Sequence, residues 1–517
     1  MEKFVEQHGG NVKGVLSGFD RLVFRGSLRM LSFTAGMMGF LSKMGVLLKD
    51  FGEYVETETQ RLKAASVAEA QRLGRPIIYL QSSRTAKEPI ARKIAKDEGI
   101  EEGLICILRC VEPCMSYEIR RDPKRKKLVL EPRLRKCLHL YHYWIDPVFG
   151  FMSARIQTWF PFTIHVCLNG REWLGRQMDR KGMRYERREN CFVGIEQSGW
   201  AQKLMDKQLR ISWPGALNKV SKRVNPAHAK MFGHSIFGAY YWSVHQSEWA
   251  TDLMFRSASG LSKIYTALVH GAIAVFSSRD VMRFLGRKTH GSFRGEVVSD
   301  YRERPEGIRV RHRVGANSVK MYDKQGSILR VETTINDPKG FKVFRPKEGE
   351  PEGPRDWRPM RKGIADLHRR AQVSQQSNER YLDALASLDT HESTRKLVAP
   401  MCRAVVWKGH RVRGIRPWSS EDHDLLETIS RGEFVVNGMR NRDIVRVLYG
   451  TKHQDPDHRR RAASRVTRKL RMLRAHGIIK KVPRTHRYVV TARGKAAISA
   501  ALKLQVISLS QLNDIAA

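Results

Sequence analysis

Between Lys127 and Asn169 apolar and polar residues alternate through four runs, KLVLEP, CLHLYHYWI, FMSARIQTWF and FTIHVCLN, with turn signals at Asp122-Pro123 before them and Asp146-Pro147 within them. Successive side chains of a strand point to opposite faces, so the pattern commits this segment to half-buried strands, and the short connections leave an antiparallel meander. PIIYLQ and LICILRCV flank a charged helix around Ile90 to Asp97, which predicts a strand, helix, strand unit, and a helix from Arg171 to about Lys181 closes the meander. Asp20 to about Leu73 reads as mostly helical from its Leu22, Leu28 and Leu31 spacing. An N-terminal α+β domain is expected over residues 1–210.

From Asn225 to Lys288 the spacing predicts helices, two of them aromatic-rich: YYWSVHQSEWATDLMF and SKIYTALVHGAIAVF. GEVVSDY, GIRVRHRV, NSVKMYDK and SILRVETTIN alternate between Gly or Pro turns and predict an antiparallel sheet, giving a second domain over 211–345. The Pro- and Gly-rich run Pro346 to Pro359 and the polar helix Ile364 to Leu388 predict a connector over 346–416.

The last segment, 417–517, has a different character. WSSEDHDLLETIS opens with a Ser cap and acids in the first turn, NGMRNRDIVRVLY supplies a second helix, and RRAASRVTRKLRMLRAHG places Ala463, Val466, Leu470 and Leu473 on one stripe. Arg461, Arg465, Arg468, Lys469 and Arg471 fall on other faces, and Gly477 ends the helix. Ile478-Ile479, a turn at Pro483 to Thr485 and Arg487 to Thr491 then read as a β-hairpin, followed by a closing helix. From His458 to Lys495 there are fourteen Lys or Arg and no Asp or Glu, as a helix entering a phosphate-lined groove requires. Helix, helix, basic helix, hairpin is the winged-helix order, and LRAHGIIKKVPRTHRYVVTARG resembles the recognition helix and wing of the MarR and ArsR families. The resemblance covers about a fifth of the chain. It implies major-groove contacts from Arg465, Arg468, Lys469 and Arg471, and wing contacts from Arg484, His486 and Arg487. The fold class expected is thus α+β and multidomain, antiparallel sheets with packed helices followed by a C-terminal winged helix.

With 94 Lys and Arg against 52 Asp and Glu, the chain carries a formal net charge of +42. Self-repulsion opposes folding, whereas each phosphate neutralised releases a counterion, so a polyanion is the partner such a charge suits. DNA is the expected partner and RNA the alternative; no membrane partner is expected, because the apolar stretch Tyr265 to Phe276 is far short of a span. MEKFVEQHGG has no basic region followed by an apolar run, and seven sparse cysteines suit reduced thiols, so a cytoplasmic location is expected. The spacing of Cys106, Cys110 and Cys114 fits strand or core positions better than a zinc knuckle.

Catalytic chemistry is sought in NSVKMYDKQGSILRVETTIN. A two- or four-residue turn around Gln325-Gly326 puts Asp323, Ile328, Arg330 and Glu332 on one face of a hairpin, where Asp323 and Glu332 could hold Mg²⁺ or Mn²⁺ and Arg330 could either neutralise developing charge or simply pair with the acids. YDK followed by RVE resembles the strand pair of rolling-circle replication initiators; that resemblance, over about 20 residues, implies a metal site at Asp323 and Glu332, with Tyr301 a candidate nucleophile because Tyr322 faces away. Glu248 and Asp252 form a possible second acid pair on one helix face. His139 and His142 lie on opposite strand faces, and with His165 and His312 they read as structural or RNA-stacking residues. No P-loop, dinucleotide fingerprint or HExxH occurs, so neither a nucleotide nor a haem cofactor is expected. The whole chain also resembles a group of uncharacterised bacterial proteins of similar length, which implies no activity.

These features converge on a DNA-binding protein of mobile-element or replication type, with a metal-dependent nicking or nuclease centre as the activity to be tested. The alternatives are a winged-helix transcription regulator and a non-enzymatic single-strand binder, whose stacking surface would be Tyr141, Tyr143, Trp144, Phe149, Phe151, Trp159 and Phe160 with Arg135, Lys136 and Arg155 on the backbone.

Overall fold

The computed structural model describes all residues except 125, 234–235, 275, 277, 288–296, 305–306, 388–393, 431–433, 435–437, 451–455, 484 and 505–517. The chain is an α+β protein, 44% helix and 33% strand, with an 11-stranded, mostly antiparallel sheet and packed helices. Two compact units are each assembled from separated stretches: Gly14–Met254 with Glu332–Gln375, and Met1–Lys13 with Phe255–Val331 and Gln376–Ala517. No single helix among the described residues is long and apolar enough to cross a membrane.

In the first unit, β1 (Val12–Leu28), β2 (Ile77–Tyr79), β3 (Gly103–Asp122), β4 (Lys127–Asp146), β5 (Gly150–Gln157), β6 (Ile164–Asn169) and β9 (Tyr240–Phe255) lie in the order β9-β1-β6-β5-β4-β3-β2, while β7 (Tyr185–Arg188) and β8 (Cys191–Ile195) pair separately. β2 and β3 are parallel across the helix Lys87–Asp97, and β3 to β6 are antiparallel, as the alternation predicts. Cys106, Cys110 and Cys114 are buried along β3. Phe24, Leu140, Ile156 and Val166 fill one face of the sheet beneath the helices Phe51–Arg72 and Trp213–Val224. Leu16 packs instead with Trp173, Leu174 and Met205 of the helices Gly170–Asp179 and Ser198–Asp206.

Two expected helices are strands. Asp20 to Leu28 belongs to β1, and the whole aromatic segment Tyr240–Phe255 is β9. Leu16, Phe19, Leu22 and Val23 mimic helical spacing, but Gly14, Gly18 and Gly26 weaken a helix, and close packing explains two glycines of this region. A Cβ on Gly18 would sit 2.2 Å from the Met205 side chain, and one on Gly170 would sit 1.8 Å from the Phe19 carbonyl oxygen, so helices approach β1 only because no side chain intervenes. The real period is hidden because burial is continuous from Leu16 to Asp20 and from Trp249 to Phe255, so polar Ser17, Asp20, Thr251 and Asp252 do not mark an exposed face at alternate positions.

In the second unit, β10 (Val297–Arg304), β11 (Gly307–Val314), β12 (Asn317–Lys324) and β13 (Ile328–Ile335) follow one another, and the helix Ala258–Ala274 forms where expected. The division between units falls inside β13, whose Glu332 to Ile335 belongs with the first unit. The turn between β12 and β13 has positive φ at both Gln325 (56°) and Gly326 (73°), the signature of a two-residue hairpin turn.

The C-terminal part of this unit contains helices Ser420–Ser430, Asn441–Tyr449, Pro456–Ala475 and Ala492–Leu504, and a hairpin of Ile479–Lys481 with Tyr488–Val490 to which Met439 adds a bridge. Its core gathers Leu425, Ile444, Val466, Leu470, Leu473 and Ile479, and reaches back before Pro417 to Val398, Met401 and Ile415. The stripe read from the sequence is therefore the packed face of Pro456–Ala475, and Arg468 and Arg471 are exposed. Leu470→Ala should cost about 2–5 kcal/mol of stability, whereas the Arg468→Ala, Arg471→Ala double variant should move the thermal midpoint little; a larger loss from the arginine pair would mean that the helix is rotated.

Candidate functional site

Asp20 on β1, Glu248 on β9 and Glu332 on β13 offer carboxylate oxygens that all lie within 4.8 Å of one another, on three neighbouring strands. Local packing fixes the first two. The Ser17 and Thr251 hydroxyls are 3.0 Å apart, and the Phe19 and Trp249 rings meet edge-on at 4.8 Å; stepping along β1 and β9 in the antiparallel sense brings Asp20 opposite Glu248. Asp20 is 6% exposed and Glu332 2%, with Glu248 half-buried between them.

Each acid accepts a hydrogen bond from a neutral side chain. Asn190 Nδ2 donates to Asp20 at 2.8 Å, Gln246 Nε2 to Glu248 at 2.8 Å, and the Thr334 hydroxyl to Glu332 at 3.3 Å. Such donors orient carboxylates without cancelling their charge. Two like charges at this spacing repel by roughly 3 kcal/mol at an effective dielectric of about 20, a repulsion that a cation among them would relieve.

Asp20 and Glu248 line a pocket of about 190 Å³ together with Arg21, Arg92, Ser153 and Cys167. Consecutive Asp20 and Arg21 both reach it, and Phe19 and Leu22, three apart, both pack into the core, so the alternation of β1 slips here. A slip of this kind is how strands re-aim side chains at functional sites. Arg21 Nε donates to Cys167 Sγ at 3.3 Å, and the Arg92 guanidinium lies 3.9 Å from the centre of the Phe151 ring. Behind the acids, Arg171, wholly buried, donates at 3.0 Å to Asp252 and at 3.1 Å to the Ala250 carbonyl. Asp252, expected as a helix-surface acid beside Glu248, is a strand residue in a buried ion pair.

Of the residues singled out from the hairpin, Glu332 belongs to this cluster and Asp323 does not. In the register of a two-residue turn Asp323 stands opposite Ile328, four residues and about 13 Å along β13 from Glu332. Equal parity puts Asp323 and Glu332 on one face of the hairpin, but this distance keeps them apart. Asp323 is half-buried, its backbone N–H donates to the Tyr265 hydroxyl at 3.0 Å, and burial pushes its carboxyl above the usual range. Arg330 is completely buried. Tyr301 lies in β10 opposite Val310, and its side chain is outside the described residues. A second acid-rich group, His423, Asp424 and Glu427, sits on the outer surface of one helix.

On the helix Pro456–Ala475, Arg461, Arg465, Arg468 and Arg471 are exposed, and the last three line a groove of about 620 Å³ with His410, Arg411 and Arg413. Lys469 corrects the sequence reading: it is 8% exposed, with Nζ 3.2 Å from a Glu421 carboxylate oxygen and 3.3 Å from the Glu421 carbonyl. Its long stem lets a residue at the edge of the apolar stripe bury itself and snorkel to a partner. His486 is exposed and Arg487 half-buried, and Arg484 is outside the described residues. Of the meander's aromatic rings, Tyr143, Trp144 and Phe160 are buried and Tyr141, Phe149, Phe151 and Trp159 half-buried, so none stands free as a stacking platform.

The sequence reading missed Asp20 altogether and placed Glu248 on the wrong kind of element. The signal was present only as isolated acids in apolar runs, GFDRLVF and SEWATDLMF. No family model, curated protein or solved structure matches the chain.

Proposed function

We propose that this chain is a DNA-processing protein that docks duplex DNA through a C-terminal winged helix and cuts or nicks a strand at a divalent-metal centre on Asp20, Glu248 and Glu332. The observation that carries the reading is the convergence of three largely buried carboxylates from neighbouring strands in a chain of net charge +42. Acids so placed repel a polyanion unless a cation lies between them, and an ion that takes oxygen ligands supplies that link. Two oxygens on one Mg²⁺ are about 3–4 Å apart, so a spread below 4.8 Å needs only small side-chain adjustments. When bound, such an ion activates water and stabilises charge on a phosphodiester. The chain's own residues orient the acids through Asn190, Gln246 and Thr334 and offer Arg21 and Arg92 beside them.

For docking, support comes from the order of the C-terminal helices and hairpin, and from exposed Arg465, Arg468 and Arg471 along one groove. The purified full chain should nick single-stranded or supercoiled DNA with Mg²⁺ or Mn²⁺ and not in EDTA; absence of metal-dependent cleavage on every DNA and RNA form rejects the catalytic part. Duplex affinity should fall about a thousandfold between roughly 50 and 200 mM salt if six or more phosphates are engaged. Removing both Arg468 and Arg471 should lower the slope of log affinity against log salt by about two, and an unchanged slope would reject the docking helix.

A further inference from the structure

A second pocket, of about 450 Å³, is lined by Arg25, Arg155, His139, His165 and His245. It opens on the same face of the sheet as the acid pocket. Cys167 and Ser153 line the acid pocket, whereas His165 and Arg155, two residues further along β6 and β5, line this one. Residues two apart on a strand share a face and lie about 7 Å apart, and Arg25, His165 and Arg155 stand side by side across β1, β6 and β5.

The composition of this pocket is unfavourable for the protein alone. Arg155 donates to His165 Nδ1 at 2.7 Å, and since a guanidinium can only donate, Nδ1 must accept and the ring proton must sit on Nε2. That Nε2 is buried and has no hydrogen-bond partner among the described residues. A buried donor left unmade costs free energy that an acceptor would return. Burial, then the charges of Arg155, His245 and Arg25, push the His165 imidazole down to about 2, so it stays neutral and keeps this tautomer. His245 lies with its ring 4.9 Å from that of His165, and burial and the neighbouring Arg155 both lower Arg25. Glu112 faces the group from β3, but it already binds Arg155 at 2.8 Å, Lys87 at 3.1 Å and the Tyr141 hydroxyl at 2.6 Å.

We infer that Arg25, Arg155, His165 and His245 form a phosphate pocket for the substrate strand, holding a backbone phosphate on the same sheet face as the acids, with Arg25 five residues, about 16 Å, along β1 from Asp20. The inference rests on the proposed DNA-processing function and names how that site would hold its strand. An anion there takes the free Nε2–H of His165 and relieves repulsion between the two arginines, and a phosphate a few nucleotides further along the strand then reaches Asp20 and Glu248. A strand bound this way is held by its backbone, without reading of base identity.

The test uses the full chain carrying Arg468→Ala and Arg471→Ala, which silences the docking helix, and measures anisotropy of a labelled oligothymidylate in EDTA. Adding Arg25→Ala and His245→Ala, both at exposed positions, should weaken the strand about ten- to a hundredfold and lower the salt slope by about one. Arg25→Lys should restore the slope. Unchanged affinity and slope, with an unchanged melting curve, overturn the pocket. If inorganic phosphate raises the melting temperature through Arg25 while strand affinity ignores Arg25→Ala, the pocket takes a free anion and the strand assignment fails. Because binding is read without metal, an absence of cleavage counts against the proposed activity and leaves the pocket standing.

Discussion

Asp20→Asn, Glu248→Gln and Glu332→Gln should each reduce metal-dependent nicking on the order of a hundredfold or more, while Asp323→Asn leaves the rate within about twofold of the unsubstituted chain. The direction follows from the geometry. Three acids share one space, and replacing any one with a neutral amide of the same shape removes one carboxylate of the proposed metal site, and its charge, without changing packing volume. Asp323 lies outside that group. Duplex affinity in EDTA should be held by all four variants, because the acids gain an interaction with phosphate only through a cation. Rates at saturating Mn²⁺, beside anisotropy at fixed salt, are the measurements. A collapse on Asp323→Asn with survival of Asp20→Asn would return the site to the hairpin pair; activity that survives every single substitution would remove the metal centre.

The largest stability effect is expected at Arg171. A buried ion pair that loses one partner leaves the other charge desolvated and uncompensated, at about 3–5 kcal/mol, and Arg171→Ala also strips a donor from the Ala250 carbonyl. Asp252→Ala should cost a similar amount by stranding the guanidinium. Replacing both together, Arg171→Met with Asp252→Leu, should cost much less, since apolar groups of similar volume need no compensation. The midpoints and slopes of urea unfolding curves decide it, and a double variant no better than either single change would mean that hydrogen bonding to Ala250, rather than the ion pair, fixes the helix. The consequence reaches the site. Arg171 lies in the first turn of a helix capped by Asn169, whose side chain accepts from the Arg171 and Glu172 N–H groups, and Asn169 itself lines the acid pocket.

What the sequence determined by itself lies where one face of an element meets solvent. The meander, the strand, helix, strand unit and the hairpins from Gly307 to Ile335 were legible because their polar and apolar residues alternate at the period of a strand. The packed stripe of Val466, Leu470 and Leu473 was legible for the corresponding reason at the period of a helix, and with it the exposure of Arg465, Arg468 and Arg471. The acid cluster was not. Glu332 stands on a strand that was legible, but Asp20 and Glu248 stand on strands with long runs buried on both faces, where continuous burial hides the alternation that marks a strand. The partnership of Asp20, Glu248 and Glu332 depends on strands that are neighbours in the sheet but far apart in the chain, a choice no local pattern encodes. Lys469 makes the same point on a smaller scale: its helical position was readable, but its burial was decided by Glu421 on another helix, close enough to take its ammonium group.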